Sequence, residues 1–133
     1  MTRTRASNFI ASTKGASALE FALVFPLFVM LLFGIIEFGR ALSVQNELEF
    51  AASQASRMVM IDDSVSNSAL ETRIRSILHD LSDTDLNVVT STDTVDGQGY
   101  RVVNISYPHQ ISTPFATPID ITMTATTRTP QGL

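Results

Sequence analysis

Cysteine and tryptophan are absent from this chain of 133 residues, and histidine occurs twice. Without cysteine there is no disulfide and no thiolate metal ligand, so any folded part must be held by a modest core or by partners. His79 and His109 lie apart in the sequence, and no Gly-x-Ser-x-Gly segment supplies a serine nucleophile, so both read as surface histidines. Gly97 and Gly99 have neither the lysine nor the following helix of a phosphate loop. The acids Asp62, Asp63, Asp80, Asp83 and Asp85 have no EF-hand spacing and read as solvated caps and turns. Bases are scarce as well. Residues 16–133 hold all thirteen acids against six Lys and Arg, a net charge of −7, which argues against a nucleic-acid surface. These absences leave no enzyme, cofactor, metal or small-molecule substrate to expect.

What the chain has is one long apolar run, GASALEFALVFPLFVMLLFGIIEFGR over residues 15–40. Residues 21–36 carry no charge, and the apolar segment from Ala16 to Ile36 carries one acid, Glu20. As a helix this segment spans about 30 Å, the thickness of a bilayer's hydrocarbon core. A carboxylate within it costs about 2.5 to 3.5 kcal/mol on insertion scales, so Glu20 calls for a partner or a task. Pro26 removes a backbone donor and predicts a kink. Glu37 and Arg40, three residues apart, are placed to pair at the far interface, where their heads reach water; they read equally as a subunit contact or as the end of the span. Arg3, Arg5 and Lys14 precede the run with no acid among them, so the positive-inside rule puts the N-terminus in the cytoplasm.

Lys14-Gly15-Ala16-Ser17-Ala18-Leu19-Glu20-Phe21 resembles the processing site of type IV prepilins, which a peptidase cuts after glycine to leave glutamate as the fifth mature residue. Together with Gly34-Ile35-Ile36-Glu37-Phe38-Gly39-Arg40 it resembles more narrowly the TadE-like pseudopilins of the tight-adherence (Flp) pilus system, over about residues 14–57. The resemblance implies a leader at residues 1–15, cleavage between Gly15 and Ala16, and a role for Glu20 and Phe21 in assembly or processing. It implies a minor pseudopilin of a bacterial inner membrane, its partners a prepilin peptidase, other pilins and the pilus assembly machinery, with adherence and biofilm formation as the outcome. Phe21 stands where the major pilins of such systems usually carry tyrosine, and the chain is longer than those pilins; both favour an accessory subunit. An ordinary secretory signal fits poorly, because the apolar run is too long and is followed by charge before any small-residue cleavage site. The alternative is an uncleaved single-pass anchor presenting a small periplasmic binding or adaptor module.

Beyond the membrane, Ala41, Val44, Leu48, Ala51, Ala55, Met58 and Val59 recur at helical spacing, with no Gly or Pro in residues 41–61. One helix over 16–61 is predicted, with residues 17–37 in the bilayer and 38–61 as an amphipathic extension. Asp62 to Asn67 is a polar break, and residues 62–133 form a small periplasmic α+β unit. In it Ser68 and Glu71 have capping-box spacing ahead of a helix at about 69–81. Residues 86–91 and 100–107 read as a hairpin joined by a turn-rich connection, residues 108–118 as loop with Phe115 turned inward, and residues 119–125 as a third strand. The predicted fold class is therefore α+β, a long pilin-like helix followed by a short helix and an antiparallel sheet of about three strands.

Overall fold

The computed structural model describes residues 13–113 and 116–132. Helix α1 (Thr13–Ile61) is followed by helix α2 (Asn67–Ile77) and strands β1 (Asn87–Val95), β2 (Gln98–Thr113) and β3 (Ala116–Pro130). The strands form one antiparallel sheet in the order β1-β2-β3, and the α+β class predicted from the pattern is the one adopted. Most of the basic leader, residues 1–12, and Phe115 lie outside the described residues.

The 49 residues of α1 would extend about 73 Å as a straight helix, and the helix continues through Pro26. Its two halves bury very different amounts of surface. Leu48, Ala51, Ala52, Ala55 and Val59 form a buried stripe, with Val44 and Met58 partly covered beside it. Leu70, Ile74 and Leu78 from α2 and its cap, Leu86, Val103 and Ile105 from β2, and Ala125 from β3 complete this core. The alanines allow the sheet a close approach to the helix, while Leu48, Leu70 and Ile74 are fully buried and contribute about 1.5 to 3 kcal/mol each. The periodicity of α1 thus continues into packing, because its repeat places these residues on the one face that meets the sheet.

The ends of α2 differ from the predicted ones. Its N-cap is Ser66, whose Oγ accepts from the Ala69 amide at 3.2 Å, while Glu71 pairs with Arg75 at 2.9 Å in place of closing a capping box with Ser68. The helix stops at Ile77, and residues 78–85 turn back. Arg75 holds that return: its Nη1 donates to Asp83 Oδ1 at 2.6 Å and its Nη2 to the Leu86 carbonyl at 3.3 Å.

The sheet is longer than the pattern predicts. Val95 pairs with Gln98, so the connection is the two-residue turn Asp96-Gly97, with φ of 52° and 81°. Positive φ at both positions is the geometry of a type I′ hairpin, for which Asp-Gly is well suited. Residues 108–118, predicted as loop, lie mostly in strand: Pro108 pairs with Thr122 in β2, and β3 begins at Ala116. Two local features accommodate the prolines. Pairing of β1 with β2 ends at Asn87↔Ser106, so Pro108 lies where β2 has β3 as its one neighbour and a missing N–H need not break a ladder on both sides. Pro118 lies at a register shift, where Thr117 and Pro118 of β3 oppose Ser112 of β2 between the pairs Ile111↔Ile119 and Thr113↔Ala116; a bulge tolerates proline.

Past Ser106, β2 and β3 therefore continue as a two-stranded arm. Two contacts fix its direction: Gln45 Nε2 donates to the Thr124 carbonyl at 3.2 Å, and Thr129 Oγ1 donates to Ser56 Oγ at 2.8 Å. The helix between Gln45 and Ser56 and the strand between Thr124 and Thr129 each advance about 16 Å, so β3 runs parallel to α1. The arm points back toward the apolar half of the helix.

Candidate functional site on the long helix

The apolar half of α1 presents its side chains outward. Leu19, Phe21, Leu23, Leu27, Leu31 and Ile35 are each 60% exposed or more, and the helix is long and apolar enough to cross a membrane. Such exposure is unfavourable in water and favourable in lipid. Within residues 15–36, Val29 is the one residue that is half-buried.

Gly15 stands in the first turn of α1, and open space surrounds the position a Cβ would take. Ala16 is exposed beside it. Ala16 and Glu20 are four residues apart, which places them on one face of the helix. Glu20 is exposed and makes no hydrogen bond or ion pair with another described residue. Phe21 packs on Phe25 with ring centroids 5.3 Å apart and planes tilted by 33°. Lys14 lies in the helix one residue before Gly15.

Glu37 and Arg40 form an ion pair of 3.2 Å, but the two side chains are not alike, at 9% and 68% exposure. Arg40 reaches solvent and Glu37 does not. The prediction that both heads reach water is corrected for Glu37, which is buried. His109 also departs from its predicted surface loop: it sits in β2, paired with Ile121, and its Nε2 is buried without a hydrogen-bond partner among the described residues. His79 is exposed and lies 3.3 Å from Asp80.

No group of three His, Cys, Asp or Glu side chains is assembled among the described residues. The acids of the turns have local tasks. Asp62 Oδ1 accepts from the amide and hydroxyl of Ser64, which together hold its carboxyl below the usual range, with a smaller contribution from the Arg101 charge. Arg101 itself donates to the carbonyls of Val65 and Asp63 and ties the α1–α2 connection to the sheet. An open groove of about 410 Å³ runs between α1 and β3, lined by Glu49, Ala52, Ser53, Ser56 and Thr124 among others. It contains no paired acid and base suited to catalysis.

Burial of Glu37 is the feature that reading the sequence missed. Its signal was the continuation of the packed stripe toward the membrane through Ala41 to Glu37, matched on β2 by the alternation Val103, Ile105, Tyr107, His109, Ile111. Compared with known proteins, residues 15–57 match the family model described as TadE-like protein. None of the curated proteins or solved structures compared with the chain matches it.

Proposed function

Taking as premise that this chain carries a TadE-like segment at residues 15–57, a family linked to Tad pilus systems, we propose that it is a minor pseudopilin, cut between Gly15 and Ala16 by a prepilin peptidase and assembled through α1. The observation that carries this reading is one continuous helix in which an exposed apolar half bearing Glu20 is joined to a half that supports a small sheet. On this reading the chain presents a surface to its partners and carries no catalytic step. Its apolar half inserts in the inner membrane, and its sheet is displayed on the periplasmic side, where it contributes to pilus biogenesis, adherence and biofilm formation.

On this reading Gly15 and Glu20 have separate tasks. A peptidase must reach the bond after Gly15, which lies in the first helical turn; terminal turns lack hydrogen-bond partners and glycine lowers helix propensity by about 1 kcal/mol, so this turn opens readily. Cleavage leaves an α-amine on Ala16. Glu20 lies one turn further along the same face, so the new cation, in its own chain or in a neighbouring subunit, offsets the burial of the carboxylate.

Intact mass and N-terminal sequencing of the chain from cells that contain the peptidase test the reading. The wild type should lose fifteen residues, Gly15→Leu should stay uncut yet inserted, and Glu20→Gln at equal processing should assemble less well, read by crosslinking between mature subunits. Normal processing of Gly15→Leu would remove the cleavage assignment. An uncut wild type would favour a single-pass anchor with an adaptor unit.

A further inference from the structure

The sheet order leaves the outer edge of β3 open, and hydrogen-bond parity fixes which groups that edge presents. One step beyond the Tyr100↔Pro130 pair, the Gln131 amide donates to the Gly99 carbonyl at 2.9 Å, so the odd-numbered residues of β3 are the ones that bond to β2. The backbone N–H and C=O groups of the even-numbered residues therefore point away from the sheet. Pro118 and Pro130 hold two such outward positions, where a missing N–H costs no ladder bond. Between them Asp120, Thr122, Thr124, Thr126 and Arg128 turn both backbone groups outward. The devices that usually blunt an edge are absent from residues 119–129, which contain no proline or lysine and keep an unbroken register with β2.

Beside this edge runs the open groove of about 410 Å³ between α1 and β3. Its helix wall includes Ala52, Ser53 and Ser56, whose short side chains leave room for those of an added strand, and its one ionisable lining residue is Glu49. Glu49 forms no ion pair with a described residue; its carboxylate accepts from Gln45 Nε2 at 2.9 Å. The same Gln45 nitrogen donates to the outward carbonyl of Thr124 at 3.2 Å. One neutral amide thus serves both a strand edge and an acid. An occupant that supplies a backbone N–H and a cation replaces both bonds.

We propose that the edge of β3 takes an extended segment of another protein as an additional strand, with a Lys or Arg of that segment on Glu49 and small or β-branched side chains along the rest of the groove. Given that α1 spans the bilayer, a second copy of this chain fits less well. Antiparallel pairing of two β3 edges turns the second α1 against the first, which helices inserted the same way in one membrane do not permit. Parallel pairing of two β3 edges needs a one-residue stagger, which a two-fold axis does not give. Pairing β3 with β1 keeps the direction, but three strands are about 14 Å wide, less than the roughly 16 to 20 Å that α1 and α2 occupy side by side on one face of the sheet. A single extended segment brings no helix and meets none of these obstacles.

The probes are seven-residue peptides of alternating Thr and Val, with a single Lys moved through the seven positions. Each is added at millimolar concentration to the full chain in detergent micelles, and amide exchange is followed residue by residue. At least one peptide should slow exchange at Thr122, Thr124, Thr126 and Arg128 several-fold, while the odd-numbered amides of β3, already bonded to β2, stay as they are. Glu49→Gln should weaken binding of that peptide several-fold, and replacing its Lys by Glu should weaken it further. N-methylation of the peptide on alternate residues should abolish the effect for one set of nitrogens and spare it for the other, since one set faces β3. The proposal is overturned if no peptide slows the even-numbered amides, if Glu49→Gln leaves the affinity unchanged, if the two methylated forms bind equally, or if β1 is protected in place of β3. Even-numbered amides that exchange slowly without peptide and quicken on dilution would identify a second copy as the occupant, which also overturns it.

Discussion

Glu20 and Glu37 are the same chemical group at two levels of one helix, and their surroundings separate their roles. Glu37 is covered and paired with a solvent-facing arginine, so removing Arg40 would leave an acid with neither water nor a cation. Glu20 stands exposed on the apolar half, and on the proposed reading its charge is offset by the α-amine of Ala16 or by another subunit. Asp62 illustrates a third case, a carboxylate in water that is still perturbed, because Ser64 hydrogen-bonds to its charged form. Its folded pKa lies below the ordinary value of about 3.9, so its contribution is complete above that value and is lost as pH falls through the lower, folded one. Asp62→Asn should therefore make the connection between α1 and α2 easier to open at neutral pH, with the difference from wild type closing below the carboxylate range. Hydrogen exchange of the Ser64 and Val65 amides across pH measures this. A difference that persists unchanged in strong acid would show that the charge of Asp62 is not what holds the turn.

At the scale of elements, periodicity was the legible signal and chain reversal the illegible one. The stripe of α1 was readable because a 3.6-residue repeat maps directly onto one buried face. Several serines precede α2 and spacing alone favours Ser68 as its cap, whereas the backbone enters the helix at Ser66 with an extended φ of −69° and ψ of 151°. Ser66→Ala should cost about 1 kcal/mol, within the 0.5 to 2 kcal/mol measured for such caps, and Ser68→Ala distinctly less. Urea titration of both variants of the full chain in detergent distinguishes the two caps; equal losses would contradict the assignment of Ser66. The arm was hidden by its prolines. Pro108 and Pro118 read as breakers, and their tolerance depends on where β1 ends and where a bulge falls, which are properties of pairing between distant segments. Gly15, Glu20 and the apolar run can be read as a local motif and fall in the segment that matches the TadE-like model, whereas nothing in that local motif marks Glu37 as buried.

The whole molecule is polarised along α1: bases precede the apolar half, and acids predominate after it. A reporter active only outside the cytoplasm should work when fused after Leu133 and fail when fused before Phe9, because bases are retained on the cytoplasmic side. The reverse result would invert the molecule and remove the pseudopilin reading. The hydrogen bond from Thr129, 1% exposed, to Ser56 closes the last strand onto α1. Synthesis runs from the N-terminus, so α1 is complete, and its apolar half already able to enter the bilayer, before the last strand exists. Until Ala125 and Thr129 arrive, the stripe from Leu48 to Val59 lacks its final cover. On the proposed membrane-spanning reading, the newborn protein is anchored before it can close its core.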